Sequence, residues 1–119
     1  MKYINRELRR VISRCVNTYE GLAVTWREEA SFAQWVVINI ISIIATFFVE
    51  MSSTERLIII ILGLLILVVE LLNTGIEAAI DRISEDQHPL SKKAKDAACA
   101  AVALTAAIGG FAWIYILVT

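Results

Sequence analysis

Apolar residues run almost unbroken from Leu57 to Ile80, and the few polar positions in or just after that run share one side of a helix. At about 100° per residue, Glu70, Asn73, Glu77 and Asp81 fall within roughly 80° of arc. The run is long enough to cross a bilayer. Carboxylates at that depth cost several kcal/mol unless they line a polar cavity, so the stripe is the first place to look for function. A structural polar network between helices is the plainer alternative.

Two further apolar stretches flank this one. Phe32 to Val49 is short but adequate for a span, with Trp35 and Glu50 near its edges. Asp96 to Val118 is rich in alanine and carries Gly109 and Gly110, and small residues let membrane helices approach closely. The pattern therefore predicts spans over residues 32–49, 57–80 and 96–118. A brief loop over 50–56 separates the first two, with Ser53 or Thr54 as the helix cap. A polar loop from Asp81 to Lys95, holding Pro89, separates the last two, with Ser91 as the cap.

Residues 3–28 repeat at a different amplitude. Ile4, Leu8, Val11, Ile12, Cys15, Tyr19, Leu22 and Trp26 form one face, and Lys2, Arg6, Arg9, Arg10, Asn17 and Glu20 another. A basic amphipathic segment with a tryptophan near its end predicts a helix lying on the membrane surface. Packing on a soluble partner is the competing reading.

Composition agrees with an all-helical membrane protein. The 119 residues are 58% hydrophobic, more than a soluble domain of this length hides. One proline and five glycines leave little room for turns, which predicts one domain over 1–119 without a linker. The net charge of −1 gives no reason to expect nucleic acid. Met1 to Glu29 is charged throughout and offers no apolar core for a signal peptide. Cys15 and Cys99 read as reduced thiols in apolar packing. His88 is the only histidine, so no Cys/His metal spacing exists.

Charge also sets orientation. Lys and Arg number six in residues 1–28, four in 81–96 and one in 50–56. The positive-inside rule then puts the amino terminus and the second loop in the cytoplasm, with the carboxyl terminus outside. The cytoplasmic rim would thus gather Glu29, Glu70, Asn73, Glu77, Asp81, Lys95 and Asp96. Such a set suits phosphoryl transfer from a nucleotide. Mg²⁺ favours one or two carboxylates plus phosphate oxygens and water. The transferring group needs a cation, and the attacking hydroxyl needs a base. Neither GxxxxGK[ST] nor a kinase Gly-rich loop is present, which removes both common nucleotide scaffolds.

The order of motifs is more specific. Glu70-Leu-Leu-Asn73-Thr74-Gly75-Ile76-Glu77-Ala-Ala-Ile-Asp81-Arg82 is followed by His88-Pro-Leu-Ser-Lys-Lys-Ala-Lys95-Asp96, and Trp26-Arg-Glu-Glu29-Ala30-Ser31-Phe32 lies upstream. Over nearly its whole length the chain resembles the small integral-membrane diacylglycerol kinases of bacteria, a family that includes the undecaprenol kinases. The resemblance implies a homotrimer in the bacterial inner membrane, with three-span subunits, amino-terminal surface helices and active sites shared between neighbours. It implies ATP as co-substrate and Mg²⁺ as cofactor.

Carried over residue by residue, the resemblance makes Glu70 the general base and lets Asn73 orient the reacting groups. Glu29 and Glu77 become the Mg²⁺ ligands. Lys95 would contact the terminal phosphate, and Arg10, Asn17, Asp86, Gln87, His88 and Asp96 would join Glu29 and Glu77 around the nucleotide. The lipid would meet Arg10, Trp26, Ser31, Trp35, Arg56, Glu70, Cys99 and Trp113. The residues themselves support part of this. Glu70 is the deepest acid, a poorly solvated position suited to a proton acceptor, whereas Glu77 sits nearer the cytoplasm, where a hydrated ion fits better. Trp35 stands where the family usually has Glu or His, Asn17 where the diacylglycerol branch often has Tyr, and Gly75 where Ala is common. Glu28-Glu29-Ala30-Ser31-Phe32 resembles the diacylglycerol branch more than the undecaprenol branch. The expected reaction is ATP-dependent phosphorylation of 1,2-diacylglycerol to phosphatidic acid. Phosphorylation of undecaprenol is the enzymatic alternative. A small proton-coupled transporter fits less well, because a proton relay needs neither Lys95-Asp96 nor Glu29.

Overall fold

The computed structural model describes all residues from Met1 to Thr119 and is helical almost throughout. Four helices follow one another: α1 (Lys2–Glu28), α2 (Ala30–Thr46), α3 (Ser53–Ile83) and α4 (Pro89–Val118). α3 and α4 are each long and apolar enough to cross a membrane on their own. α2 has 17 residues and reaches about 26 Å, short of the roughly 30 Å hydrocarbon core. It counts toward a third crossing only together with α1, from which it bends by 98°.

That bend is made without glycine or proline. Glu29 alone is extended (φ −111°, ψ 99°), ending α1 and capping α2. Thr25 is buried and returns its hydroxyl to the Gly21 carbonyl at 2.7 Å, while Trp26 meets Phe32 edge-to-face at 6.5 Å across the corner. The aromatic pair holds the two helices at their angle.

The other two connections are shorter than the polar pattern predicts. Ser52, rather than Ser53 or Thr54, caps α3, because Glu55 stands three residues on and completes a capping box. Ser52 Oγ accepts from the Glu55 amide at 3.1 Å, and the Ser52 amide donates to Glu55 Oε1 at 3.0 Å. The expected loop from Asp81 to Lys95 shrinks to residues 84–88. Polar residues outside the hydrocarbon still extend helices, and Pro89 suits a first helical position, where its missing N–H costs nothing. His88 therefore caps α4 in place of Ser91, its Nδ1 accepting from the Leu90 amide at 3.1 Å. Residues 47–49, expected to end the first span, form a turn instead.

α3 is the middle of the molecule. It packs on both α2 and α4 and touches α1 near the corner. α2 and α4 are joined across it by one side-chain bridge, Trp113 Nε1 donating to Ser42 Oγ at 2.8 Å. The helices form a layer, not a closed bundle: the molecule measures 53 × 49 × 23 Å. Its apolar core is correspondingly small, consisting of Phe32, Ile59, Ile66 and Ala98. Cys15 and Cys99 are free thiols, as expected, but both are exposed in the single chain instead of packed.

At the end where α2 turns into α3, the chain is pinned. Thr46 is fully buried, and its carbonyl accepts from Nε and Nη2 of Arg56, both at 3.3 Å. The same guanidinium lies 4.7 Å from the Phe47 ring centre, a cation–π contact. Midway along, α2 and α3 approach closely because position 63 has no side chain. A Cβ at Gly63 would lie 1.9 Å from Asn39 Oδ1. Asn39 is buried and tied to the Trp35 carbonyl at 2.9 Å, so it has little room to yield. We expect Gly63→Ala to destabilise the fold by about 1–3 kcal/mol, the usual cost of overpacking. The loss should be smaller in an Asn39→Ala background. Unfolding followed by circular dichroism in detergent micelles checks both, and equal losses in the two backgrounds would mean that the helices do not meet there.

Candidate active site

The polar stripe of α3 keeps the spacing its sequence dictates, rising about 16 Å from Glu70 to Asp81. Each member meets a different partner. Glu70 is only 3% exposed, and Ser31 Oγ donates to its Oε1 at 2.6 Å. Ser31 reaches it because the 98° corner sets the start of α2 against the middle of α3. One turn further, Asn73 Nδ2 donates to Glu77 Oε1 at a long 3.4 Å. Asn73 Oδ1 and the neighbouring Thr74 hydroxyl are buried with no partner. Each such orphan costs about 1–3 kcal/mol, which makes this turn of α3 a place where polar groups await something else.

Lys95 of α4 closes the stripe, its Nζ donating to Asp81 Oδ1 at 2.6 Å. Lys92 and Asp96 form a second pair one helical turn apart, at 2.5 Å. Both lysines lie in the polar opening turns of α4, ahead of the apolar stretch. Lys95 is held above its ordinary range by the hydrogen bond to Asp81; burial opposes this, and the charges of Asp81 and Glu77 add to it. Lys92 is raised in the same way by Asp96. Both ammonium groups therefore stay charged at neutral pH.

A cleft of about 690 Å³ opens at this end between α3 and α4. Asp81, Asp86, Gln87, His88, Lys95 and Asp96 all line it, so five residues expected around a nucleotide are brought to one place. A larger hollow of about 1160 Å³ lies under the α1–α2 corner, with Asn17, Trp26 and Phe32 in its wall. Asn17 is thus on the corner hollow and not on the α3–α4 cleft. Glu29 stands at the corner with its side chain free of capping duty. Cys99 is one turn beyond Lys95 and exposed.

Four expected contacts are not gathered here. Arg10 lies well out on α1 and pairs with Glu7 at 3.0 Å. Trp35 is half-buried, one turn along α2 from Ser31. Arg56 and Trp113 sit at the opposite end of the layer, with Thr46 and Ser42. Sequence reading put Ser31 among lipid contacts and gave Glu70 no partner. It also passed over the Thr74 hydroxyl and the Lys92–Asp96 pair. Only the i, i+4 spacing of the latter carries a local signal.

No three His, Cys, Asp or Glu side chains come together as a metal-holding group. A site completed by nucleotide phosphates and water needs fewer. Glu77 and the orphaned Asn73 Oδ1, with Glu29 at the corner, are hard oxygen donors of the kind Mg²⁺ takes. The donor chemistry therefore fits the ion.

The chain has relatives among known proteins. The family model described as prokaryotic diacylglycerol kinase matches residues 16–117. The chain belongs to that family. Among family members, the diacylglycerol kinase of Pseudomonas aeruginosa is 44% identical over 100 residues, covering 82% of this chain and 81% of the relative. That of Escherichia coli is 32% identical over 108 residues, covering 91% and 88%. That of Haemophilus influenzae is 32% identical over 111 residues, covering 93% and 94%. The family match takes in Asn17, the corner, the stripe and the Lys95-Asp96 element together, leaving Arg10 outside it.

The Lys95–Asp81 pair can be tested apart from any activity. Because folding raises the Lys95 pKa, the pair stabilises the fold below the ordinary value of 10.5, and that help is lost as pH rises through the folded-state value. We expect the parent to resist unfolding slightly more than Asp81→Asn near neutral pH, and the two to converge in strongly alkaline buffer. At about pH 9, Lys95 should be acylated faster by an amine reagent in Asp81→Asn, since less of it is held protonated. Equal acylation rates, read by peptide mass spectrometry, would mean that Asp81 does not hold Lys95.

Proposed function

We propose that the protein is a membrane kinase that transfers the terminal phosphoryl group of ATP to the free hydroxyl of 1,2-diacylglycerol, giving phosphatidic acid and ADP. The observation that carries this reading is the pairing of the α3 carboxylate stripe with Lys95 of α4 beside one cleft, in a chain of the diacylglycerol kinase family.

In this reading Glu70 takes the proton of the lipid hydroxyl. The hydroxyl oxygen bonds to the terminal phosphorus, and the bond from that phosphorus to the bridging oxygen of ADP breaks. Lys95 turns from Asp81 toward the transferring group and offsets its charge. The nucleotide lies in the cleft among Asp86, Gln87, His88 and Asp96. Asn73 directs its free oxygen toward the reacting groups. Glu29 and Glu77 would hold Mg²⁺, which supplies charge neutralisation across the phosphate oxygens. The Glu70 side of the stripe is the lipid side, and the Asp81 side is the wet one.

The membrane assignment and the orientation rest on charge and hydropathy. α3 and α4 supply apolar length, and the basic residues cluster at the amino terminus and beside the α3–α4 hairpin. This supports a bacterial inner-membrane protein with a cytoplasmic amino terminus and the cleft on the cytoplasmic side. α1 would then lie along the surface, with Trp26 at the interface, and α2 together with the apolar residues 47–49 that follow it would make the first crossing. A homotrimer with shared sites is supported by the thin layer, since one copy encloses no polar cavity. It is also supported by Arg10, which the single chain leaves far from the stripe. Neighbouring copies would wall the site and bring their own α1 to it.

Glu70→Gln keeps the shape of the side chain and its capacity for hydrogen bonding but cannot take a proton. We expect a loss of roughly 10² to 10⁴ in turnover with nucleotide binding nearly intact. The parent protein in mixed micelles, given labelled ATP and a panel of lipid alcohols, should label diacylglycerol in preference to undecaprenol. Preference for undecaprenol would move the chain to the other branch, and near-parent turnover in Glu70→Gln would take the base role from it. Glu29→Gln and Glu77→Gln each remove one hard anionic oxygen, so each should raise the Mg²⁺ concentration needed for half-maximal rate. Mg²⁺ titrations that overlay the parent's would refute both ligand assignments.

A further inference from the structure

Glu70 is nearly buried in the middle of an apolar helix, yet no lysine or arginine reaches it. Its partner is a single hydroxyl, Ser31 Oγ, 39 residues away in the chain. We propose that Ser31 is a positioning residue: it fixes one carboxylate oxygen of Glu70 and so directs the other at the lipid hydroxyl. The proposal rests on the reading of Glu70 as the base.

Three features of the fold support it. First, a serine hydroxyl has one proton to give, and here it goes to Oε1 at 2.6 Å, a length typical of a hydroxyl bound to a carboxylate. Oε2 is left to accept from something else. Second, Ser31 is itself held. Glu29 ends α1 two residues earlier, and Phe32, the next residue, is buried under Trp26. The hydroxyl thus projects from a corner braced on both sides. Third, a glutamate has three rotatable bonds and is otherwise unanchored at its tip. Small misplacements of a reacting group cost large factors in rate, so fixing one oxygen has a direct effect on the geometry of proton transfer. Because the hydroxyl proton is committed to Glu70, Ser31 cannot also donate to the lipid.

The link also couples two parts of the molecule. The α1–α2 corner, with its apolar hollow beneath Trp26 and Phe32, reaches the base through this bond.

The test uses the full-length protein in mixed micelles with ATP, Mg²⁺ and dioctanoylglycerol. We expect Ser31→Ala to lower kcat about tenfold, equivalent to about 1.4 kcal/mol, with KM for lipid and nucleotide changed less than twofold. Ser31→Thr keeps the hydroxyl and should recover at least half of the parent rate. In a Glu70→Gln background, Ser31→Ala should cost nothing further. An independent readout is infrared difference spectroscopy of parent against Ser31→Ala. It should show a displaced carboxylate stretch that disappears when both proteins carry Glu70→Gln. Should Ser31→Ala fail to fold, Ser31→Cys, a weak donor of similar size, takes its place. A parent-like kcat in Ser31→Ala, an equal loss in the Glu70→Gln background, or a loss expressed only in KM would each overturn the proposal. Should Glu70→Gln itself prove fully active, the base assignment fails on its own account. The infrared comparison then still decides whether Ser31 holds the Glu70 carboxylate.

Discussion

A carboxylate inside an apolar helix must be met by a polar group from another helix, and the architecture follows from that requirement on α3. In hydrocarbon there is no water to solvate Glu70, and an unmet carboxylate there costs several kcal/mol. The 98° corner answers it by delivering Ser31. At the other end of the stripe, α4 delivers Lys95 to Asp81. Both flanking helices are thus tied to α3 by polar contacts made in its Glu70–Asp81 half. This gives α3 its central place in the layer and places α2 and α4 on either side of it.

The two ends of the layer are built differently. Where α2 turns into α3, Arg56 clamps the Thr46 carbonyl, Phe47 lies under the guanidinium, and Ser52 and Glu55 close a capping box worth about 1 kcal/mol. Trp113 and Ser42 add a bridge between α2 and α4. Nothing comparable closes the end at the α3–α4 hairpin, where the ion pairs are exposed and exchangeable. An exposed pair contributes little to stability. Lys95 can therefore leave Asp81 for a phosphate at small cost, whereas Arg56 could not leave Thr46 without exposing a buried carbonyl. The fixed contacts and the exchangeable ion pairs thus lie at opposite ends of the same helices.

This division explains what could be read from the sequence. The stripe was legible because helical periodicity alone puts Glu70, Asn73, Glu77 and Asp81 on one face. The Lys95-Asp96 element was legible because its order and spacing after the stripe are specific. The caps were read one to three residues late. Ser53 and Thr54 have the right chemistry, but Ser52 alone stands three residues before Glu55. Ser91 is likewise a good cap residue, but Pro89 fixes the helix start and passes the role to His88. The polar run over 81–95 predicts a longer loop than exists, because polarity alone does not distinguish irregular structure from a solvated helix. Beyond the hydrocarbon, polar residues continue a helix at no cost. The Ser31–Glu70 bond was hidden for a different reason. It depends on a sharp corner that no glycine or proline announces, and on an approach between helices that periodicity does not contain. The positions of Arg56 and Trp113, far from the stripe, were hidden by the same lack of depth information.

The unsatisfied groups are confined to one turn of α3. Only two buried side-chain oxygens lack a partner, Asn73 Oδ1 and Thr74 Oγ1, and they are adjacent, on the turn between Glu70 and Glu77. Within one copy the network stays open at this turn, at a cost in stability that a phosphate, an ion or a neighbouring copy would offset. Here the network closes on both sides of that turn, through Ser31 and through Lys95, and stays open in between. Local rules of polar satisfaction are broken where a site must receive something from outside. A phosphoryl group approaching Glu70 from the Lys95 side would pass this turn of α3. In the proposed reaction, the gap in the network lies on that path.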